Sequence, residues 1–581
     1  MENKLYLYEL LDNNTPEAYD EAMAVACMQG LYNRTGAHVY VTTPDSDKRR
    51  NGVLGEALWG TELNRPVCTP KYWLNTFTSP GGWLHGREQV VLHGLNELYQ
   101  LTRSHIKGAV IWDPAVPATI NAATTIAGVE DLIVFSPELY RSFGETFQIP
   151  IVHDLRGRFD GSETGSARND VYRWAIREYI DTGKCSTKLV GQYQDAWLTR
   201  EKGYLSYVTE RDRLIAERAF AFDLSVWGHY PPLSDPSQPV GTDRVTFEMV
   251  LEHVSRQANG KNMTEFCGFF NGRALNEGQP NGVLTEWEQV FQMSKYCFYQ
   301  NTAANDVLNQ SFHRWAPFEP LKQHRPAQKR ELENKVYLCI QVCDMDSTTP
   351  LYDVMPVLWD DPRRGEYPLA WGINPNLYGV LPDVMKHYYD TASENDYFCA
   401  DAGAAGYFNA CNIPSKDWDM VVDHNKYWFD KTDMTIAGMV LDCDNPSEEV
   451  LRNYSKFAPD GFASLVCAGI HPTKNPALRT QVYNGMPVGF MTHGVCDWLG
   501  SVQATCKGLN DLYFCKFSSS EAHFIYYRIC YRSPSEMFDL YEELKKTNPH
   551  LDIELVDPYT YFSLLKEKVY ADARECDEDI F

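Results

Sequence analysis

The sequence predicts an α/β protein in which small N-terminal α/β domains precede a C-terminal TIM-like (β/α)8 barrel. Short apolar runs alternate with helical patterns along most of the 581 residues, as expected for parallel strands covered by helices. In the C-terminal part most of these runs end in a polar side chain, which is typical of strands that emerge at a ligand-binding edge. A doubly wound open sheet satisfies the same pattern and remains the alternative architecture.

Residues 1–150 are predicted to form an N-terminal α/β domain. Thr15 supplies a helix N-cap and Pro16 the first helical position, and an apolar stripe from Ala22 to Leu31 continues that helix. The predicted strands of this domain are residues 38–41, 90–92, 109–112 and 132–135. Because the sequence contains no GxGxxG after a strand and no Walker motif, a nucleotide-binding role has no support.

Residues 151–213 are more polar and predict a mainly helical connecting module, after which residues 214–581 are predicted to form the barrel. The predicted strands of the barrel are residues 219–222, 266–270, 336–343, 367–375, 397–400, 420–422, 437–441 and 488–491. Helical patterns separate several of them, as crossover connections between parallel strands require.

Charge and hydropathy exclude two classes of partner. The net charge of −25 is opposite to the basic footprint that nucleic-acid binding needs, and it opposes adhesion to anionic membrane surfaces. Every apolar run is shorter than the roughly 18 residues that a membrane span requires. We therefore expect neither nucleic acid nor a membrane as a partner. The 14 Trp and 35 Tyr are typical both of sugar-binding proteins and of large aromatic cores.

The cysteines predict a reducing environment. The 16 cysteines include no CxxC pair, and most lie in apolar runs, so we interpret them as small buried side chains rather than disulfides or metal ligands. The first five residues lack the basic start and apolar core of a signal peptide. We therefore expect a cytoplasmic protein with no cofactor and no bound metal. Assembly into a homo-oligomer is left open.

Several blocks of sequence occur in the same order in one known family. In the C-terminal part they are FDLSVW from Phe222, TEWE from Thr285, DMDS from Asp344, WGINP from Trp371 and AAGYFNA from Ala404. With MQGLYNR from Met28 and KGAVIWDP from Lys107 near the N terminus, the chain resembles the GxGYxYP family of glycoside hydrolase-like proteins. This resemblance implies a TIM-like barrel and a role in carbohydrate processing.

The name-giving motif of that family is altered here. Gly406 and Tyr407 are kept, but Ala404, Asn409 and Ala410 stand where the family has Gly, Tyr and Pro. We therefore expect the scaffold to be shared, whereas the substrate, or activity itself, can differ.

Four carboxylates are the candidate catalytic residues. Asp344 and Asp346 alternate with one residue between them, so on a regular strand both would point to one face. Two neighbouring carboxylates repel, and one can then keep its proton and act as an acid. A glycosidase needs such an acid together with a second carboxylate. Asp401 and Glu286 complete the pool. Strand-end capping is the alternative role for these residues.

A second set of residues predicts sugar binding. Indole rings stack on sugars, carboxylates accept hydroxyl donors, and an Asn side chain both donates to and accepts from a diol. The candidates are Asp223, Trp227, Trp371, Asn374, Tyr407, Asn409 and His493.

The predicted function is therefore a glycoside hydrolase that acts on a small oligosaccharide or glycoside by two-carboxylate chemistry. One alternative is a non-catalytic carbohydrate-binding protein on an inactive barrel, which the altered motif favours. A second is a metal-dependent, deacetylase-like hydrolase in which Asp344 and Asp346, with His493 or His523, hold a divalent cation.

Overall fold

The computed structural model describes residues 3–11, 15–44, 70–197, 200, 211–229, 231–268, 282–301, 307–326, 330–442, 446–466, 480–492 and 500–578. The chain divides into two compact units. Unit 1 comprises Met1–Phe318 with Gly379–Asp383, and unit 2 comprises Glu319–Tyr378 with Val384–Phe581. The predicted α/β class is confirmed, since both units combine parallel sheets with many helices.

The described residues of unit 1 form three parallel sheets. Its strands are β1 (Lys4–Glu9), β2 (Val39–Thr42), β3 (Glu88–Leu92), β4 (Gly108–Ile111), β5 (Leu132–Phe135), β6 (Ile151–Asp154), β7 (Leu189–Gln192), β8 (Phe220–Phe222), β9 (Thr264–Cys267) and β10 (Phe298–Asn301). The strand orders are β2-β1-β3, β5-β4-β6 and β10-β9-β7-β8. All four strands predicted for residues 1–150 are thus present.

The first helix of unit 1 lies at the centre of its core. It spans Pro16–Tyr32, and the Thr15 side chain accepts a hydrogen bond from the Ala18 backbone N–H, which confirms the predicted N-cap. Small and flexible apolar residues are buried on nearly all of its faces, so it is an interior helix rather than a surface helix with one apolar stripe. The further α-helices of unit 1 are Pro70–Thr78, Leu95–Thr102, Thr119–Glu130, Pro137–Leu139, Ala167–Ala175, Asp212–Glu217, Thr242–Ala258, Gly282–Ser294 and Gln310–His313.

The predicted boundaries at residues 150 and 213 do not match these units. β6 begins at Ile151 and pairs in parallel with β4. β7, inside the predicted helical module, pairs in parallel with both β8 and β9. Sheet hydrogen bonds therefore run across both predicted boundaries, and the division between the units lies near residue 318. The predicted boundaries rested on segment length and polarity, and neither property reports which strands pair.

In unit 2 the strands that the structure describes form two sheets. Its strands are β11 (Val336–Met345), β12 (Leu369–Ile373), β13 (Asp396–Cys399), β14 (Ile436–Asp442), β15 (Gly461–Val466), β16 (Gln481–Tyr483), β17 (Met486–Phe490), β18 (His523–Cys530) and β19 (Ile553–Leu555). The strand orders are β13-β12-β11-β18, with β19 also paired to β11, and β14-β15-β17-β16. Only the β16–β17 pair is antiparallel among the described strands.

Hydrogen bonds also join the two sheets of unit 2. Ala400, directly after β13, donates to Ile436 of β14 at 3.1 Å and accepts from Gly438 at 2.8 Å. At the other side, Thr492, just after β17, donates to Tyr526 of β18 at 2.9 Å. Seven parallel strands therefore follow one another in the order β11-β12-β13-β14-β15-β17-β18, and β18 returns to β11.

Helices separate most of these strands. Those that begin after residue 319 are Met355–Trp359, Pro382–Asp390, Trp418–Thr432, Glu448–Tyr454, Val502–Leu512, Pro534–Thr547 and Pro558–Glu578. Among the described residues, no helix of either unit combines the length and apolarity needed to cross a bilayer.

Two predictions for the C-terminal part need correction. The eight-stranded barrel over residues 214–581 is not confirmed, because β8, β9 and β10 belong to unit 1. Residues 420–422 lie in the helix Trp418–Thr432 rather than in a strand. Their short apolar run is one buried side of an amphipathic helix, which periodicity over three residues cannot distinguish from a strand.

Asp212 generates a prediction about the pH dependence of stability. Its carboxylate is fully buried and accepts a hydrogen bond from the Ser311 N–H at 2.8 Å, and burial raises its pKa from 3.8 to about 6. A raised folded-state pKa stabilises the fold below about pH 4, and that contribution is lost as the pH rises to about 6. We expect Asp212→Asn to be more stable than the wild type near pH 7, by up to about 3 kcal/mol.

Urea unfolding at about pH 4 and about pH 7 tests this expectation. The matched control is Glu145→Gln, because the Glu145 carboxylate of the same unit is exposed and its loss should leave the stability unchanged. Equal pH dependence in the wild type and in Asp212→Asn would contradict the assignment.

Candidate functional site at the carboxyl edge of unit 2

Four adjacent parallel strands bring polar side chains to one edge of the sheet. Asp344 lies near the end of β11, Asn374 directly follows β12, and Asp401 follows β13. Arg528 lies near the end of β18, the neighbour of β11 on its other side. Because the carboxyl ends of parallel strands meet at one edge, residues far apart in sequence converge here. Asp344 and Asp401 are therefore brought together as the sequence predicts.

Asp401 is the buried centre of this cluster. Its carboxylate is 0% exposed and accepts four hydrogen bonds. Arg528 donates through Nε and Nη2 at 3.0 Å each, Gln341 donates through Nε2 at 3.0 Å, and the Asp344 backbone N–H donates at 2.8 Å. Burial raises the pKa of Asp401, while the guanidinium of Arg528 acts in the opposite direction. Such a carboxylate is held in one position by all of its neighbours.

Arg528 links the two carboxylates. Its Nη2 lies 2.7 Å from Asp344 Oδ1 and 3.0 Å from Asp401 Oδ2. Burial alone would lower the pKa of this guanidinium, but Asp401 and Asp344 raise it well above its ordinary value. One fixed positive charge therefore balances two carboxylates, which leaves the cluster with a formal excess of one negative charge.

Gln341 is oriented by a tyrosine one strand away. The Tyr526 hydroxyl donates to Gln341 Oε1 at 2.6 Å. The amide oxygen is thereby occupied, so the amide nitrogen faces Asp401.

Two glycines provide the space that Asp401 occupies. A Cβ on Gly372 of β12 would lie 2.3 Å from Gln341 Nε2 and 3.0 Å from Asp401 Cγ. A Cβ on Gly438 of β14 would lie 2.1 Å from the backbone oxygen of Asp401. The 2.3 Å and 2.1 Å distances are too short for a side chain, so glycine at both positions leaves the space in which Asp401 and Gln341 lie.

Asp344 is the exposed member of the cluster. Its side chain is 29% exposed to solvent, whereas the Arg528 side chain is 6% exposed and the Asp401 side chain is 0% exposed. The backbone of Asp344 adopts a left-handed φ of +71°, a conformation that is costly for a residue with a Cβ and is often found at functional sites. The register between β11 and β12 shifts at this point. Asp344 is thus turned out of regular strand geometry.

Asp346 lies half-buried just beyond the end of β11 at Met345. The shared strand face predicted for Asp344 and Asp346 assumed a regular strand up to residue 346, and the left-handed Asp344 interrupts that regular alternation. Both carboxylates nevertheless lie near Tyr531, because burial and then the charges of Asp344 and Asp346 raise the pKa of its hydroxyl.

The loop after β13 carries the altered family motif and is tied to neighbouring helices. Tyr454 donates its hydroxyl proton to the Gly403 carbonyl at 2.8 Å, and Asn425 Oδ1 accepts from the Ala405 N–H at 2.8 Å. Gly403, Ala404 and Gly406 all have positive φ. Tyr407 and Asn409 are buried. These contacts hold the loop in place, and the side chains of the two candidate sugar-binding residues are enclosed rather than exposed.

Trp371 is a core residue. It is fully buried, its Nε1 donates to Asp396 Oδ1 at 2.8 Å, and its ring packs against Trp359 with centroids 5.1 Å apart. Neither face of the indole is open, so its predicted role as a stacking surface for sugar is wrong for this structure. Asn374 is likewise buried. It donates to the Ala402 carbonyl at 3.0 Å and accepts from the Asp401 N–H at 3.2 Å, so it positions Asp401.

Three predicted residues belong to unit 1. Asp223 is nearly buried beside Arg168, and burial raises its pKa to about 6. Trp227 is half-buried and donates through Nε1 to Thr285 at 2.8 Å, and Glu286 is half-buried in the helix Gly282–Ser294. All three belong to a different unit from Asp344, so the predicted common barrel does not unite them with it. His493 lies outside the described residues.

Sequence reasoning missed Arg528, Gln341 and Tyr526. The available signal is a charged or amide side chain inside an otherwise apolar strand, as in HFIYYRIC and VYLCIQVC. A charge is rarely buried in a strand unless a partner is present. It also missed Cys530, which is paired in register with Cys343 of β11. Their sulfur atoms are 3.6 Å apart.

Comparison with models of known protein families identifies the family of this chain. The model described as "GxGYxYP putative glycoside hydrolase C-terminal domain" matches residues 334–566, and the model described as "GxGYxYP_N second domain" matches residues 106–182. The chain belongs to the GxGYxYP family. The Asp344–Arg528–Asp401 cluster lies entirely within the part matched by the C-terminal GxGYxYP domain.

A solved structure supports the fold of this GxGYxYP protein. A crystal structure of "a putative hydrolase from Bacteroides thetaiotaomicron VPI-5482" covers 97% of this chain and 94% of that chain, with a TM-score of 0.69 and 17% identity. At this identity the likeness concerns the fold alone. A "putative polysaccharide deacetylase from Mycobacterium smegmatis" covers 44% of this chain and 96% of its own, with 10% identity and a TM-score of 0.28, which is too low to carry a conclusion. No curated protein matches this sequence.

Removing the guanidinium should destabilise unit 2. Arg528→Met leaves Asp401 buried with an uncompensated charge, which typically costs about 3–5 kcal/mol. Adding Asp401→Asn should recover part of the loss, because an amide needs no counter-charge. Urea unfolding measures both effects. The control is Arg452→Met, whose side chain is 52% exposed and whose ion pair with Glu449 should be worth less than about 1 kcal/mol. Equal losses for the two arginine variants would refute a special role for Arg528.

Gly372→Ala should disturb the same cluster from another side. The new methyl group would overlap with Gln341 and Asp401, and overpacking of this kind costs about 1–3 kcal/mol. The matched control is Gly489→Ala in β17, where the nearest atom is the end of the Leu565 side chain at 3.2 Å. Thermal unfolding should show a clear decrease in melting temperature for Gly372→Ala and a smaller one for Gly489→Ala. A larger decrease in melting temperature for Gly489→Ala than for Gly372→Ala would contradict the inference that the cluster needs the space at residue 372.

Proposed function

We propose that this GxGYxYP protein is a glycoside hydrolase that cleaves a small oligosaccharide or glycoside at the carboxyl edge of unit 2. In this proposal the seven parallel strands act as a barrel-like ring with the sugar bound above Asp344. The family name and the hydrolase name of the similar crystal structure agree with this activity.

The observation that carries the proposal is the pairing of one accessible carboxylate with a buried, charge-balanced support. Arg528 holds Asp344 Oδ1, so Oδ2 is the oxygen that would meet the sugar. Asp401 is completely buried and cannot touch a substrate in this conformation. We therefore assign Asp401 as a positioning residue, which fixes Arg528 and the Asp344 backbone, and not as the second catalytic carboxylate.

The second catalytic carboxylate in the proposal is Asp346, which is half-buried two residues beyond Asp344. Its carboxylic acid would give a proton to the leaving glycosidic oxygen as the bond from that oxygen to the anomeric carbon breaks. The carboxylate of Asp344 would attack the anomeric carbon, or would take a proton from an attacking water molecule. The fixed Arg528 and Asp401 charges need not reorganise during this step, which is the physical advantage of a preorganised site.

Single amide substitutions test these roles. Asp344→Asn and Asp346→Asn should each lower kcat on the cleaved glycoside by about 10²- to 10⁴-fold, with little change in melting temperature. Asp401→Asn should lower kcat and the melting temperature together, because it loosens Arg528. Aryl glycosides and short oligosaccharides are suitable first substrates. The control is Asp360→Asn, an exposed carboxylate of the same unit.

Full turnover in both Asp344→Asn and Asp346→Asn would rule out this chemistry. Sugar binding without any product by mass spectrometry would instead favour the non-catalytic carbohydrate-binding alternative. That alternative is motivated by Ala404, which has a φ of +96° at a position where the family motif has glycine.

A further inference from the structure

Two thiols and a carboxylate meet at the ends of β11 and β18, and the proposed hydrolysis uses only the carboxylate. Cys343 and Cys530 are register partners on the two strands, with their sulfur atoms 3.6 Å apart. The metal-ligating atoms of Cys343, Cys530 and Asp344 all lie within 4.8 Å of one another. In the part of the chain that the structure describes, no other three His, Cys, Asp or Glu side chains are grouped in this way.

The spacing of the two sulfur atoms corresponds to that of two thiolate ligands on one tetrahedral ion. Zinc binds sulfur at about 2.3 Å and carboxylate oxygen at about 2.0 Å. Two sulfurs on a tetrahedral zinc are therefore about 3.8 Å apart, and a sulfur and an oxygen about 3.5 Å apart. The observed sulfur separation of 3.6 Å needs almost no adjustment.

The charges around the cluster also permit a divalent ion. With both thiols protonated, Asp344, Asp401 and Arg528 sum to one negative charge. When an M²⁺ ion binds two thiolates, two protons leave and two positive charges enter, so this sum is unchanged. Burial raises the pKa of both thiols, and the positive charge of Arg528, whose Nη1 lies 3.9 Å from Cys530 Sγ, acts in the opposite direction.

We infer that Cys343, Cys530 and Asp344 form a binding site for a thiophilic, tetrahedral divalent ion of the zinc class. The fourth ligand position is left for water or a small molecule. Because the ion takes the Asp344 carboxylate, its binding inhibits sugar hydrolysis. The ion site itself is independent of the proposed function, and only the inhibition rests on it.

Cobalt(II) binding to the reduced, full-length chain tests the site without any substrate. We expect one ion per chain, with the intense visible bands of tetrahedral cobalt, a sulfur-to-cobalt charge-transfer band and displacement by zinc. Cys530→Ala and Cys343→Ala should each weaken binding by at least about 100-fold. Cys339→Ala is the matched control, since Cys339 is buried on the same strand but is not among the grouped ligands. Far-UV circular dichroism establishes that each variant is folded.

An octahedral cobalt spectrum, or no bound cobalt in the wild type, would overturn the site even if a cysteine variant failed to fold. Unchanged cobalt binding in a folded Cys530→Ala would also overturn it.

A second experiment tests the inhibition. On a cleaved glycoside, zinc should lower turnover in the wild type, a chelator should restore it, and Cys530→Ala should resist zinc. Turnover that instead requires zinc would overturn the inhibition. Absence of turnover on every sugar would count against the proposed function, while the cobalt spectrum still decides the ion site.

Discussion

The contact between the Arg528 guanidinium and two carboxylates is the constraint on which the site in unit 2 depends. Asp401 is completely buried and Asp344 adjoins it. Two such carboxylates, brought together without a positive charge, would repel each other in a medium that screens poorly. Arg528 supplies that charge from a strand 127 residues beyond Asp401 in the sequence. The edge of the sheet can therefore be acidic only because β18 pairs with β11.

The surrounding residues make this contact geometrically possible. Gly372 and Gly438 leave room for Asp401 between two strands, and Gln341 occupies an Asp401 lone pair that would otherwise be unsatisfied. Non-glycine residues with positive φ, Asp344 and Ala404, lie in the segments that emerge at the same edge. Strained backbone persists where its surroundings fix it. The combination of strain, buried charge and glycine is therefore concentrated at the carboxyl edge, away from the regular parts of the strands.

The sequence supports prediction of the fold class, most strands and part of the site. Apolar runs that end in carboxylates correctly identify β11, β13 and the convergence of Asp344 with Asp401. Over only a few residues, an apolar run on the buried side of a helix, such as residues 420–422, cannot be distinguished from a strand. The pairing of β7 with β8 and β9 could not be foreseen, because it depends on contacts between residues far apart in the chain. Arg528 was missed because its partners are set by strand order, which no local pattern reports. Trp371 was misassigned because composition says how many aromatic rings there are but not which are enclosed.

The late position of β18 in the chain has a consequence for biosynthesis. β18 pairs along eight register positions with β11, whose first residue lies almost 190 residues earlier. A nascent chain emerging from the ribosome can form β11, β12 and β13, yet it carries Asp401 without a counter-ion until residue 528 has been translated and has left the exit tunnel. During that interval the incomplete sheet has an unpaired edge at β11, and the Asp401 carboxylate has no positive charge beside it. Unit 2 is therefore expected to reach its native arrangement only after β18 has left the exit tunnel and paired with β11, and chaperones would have most to protect before that step.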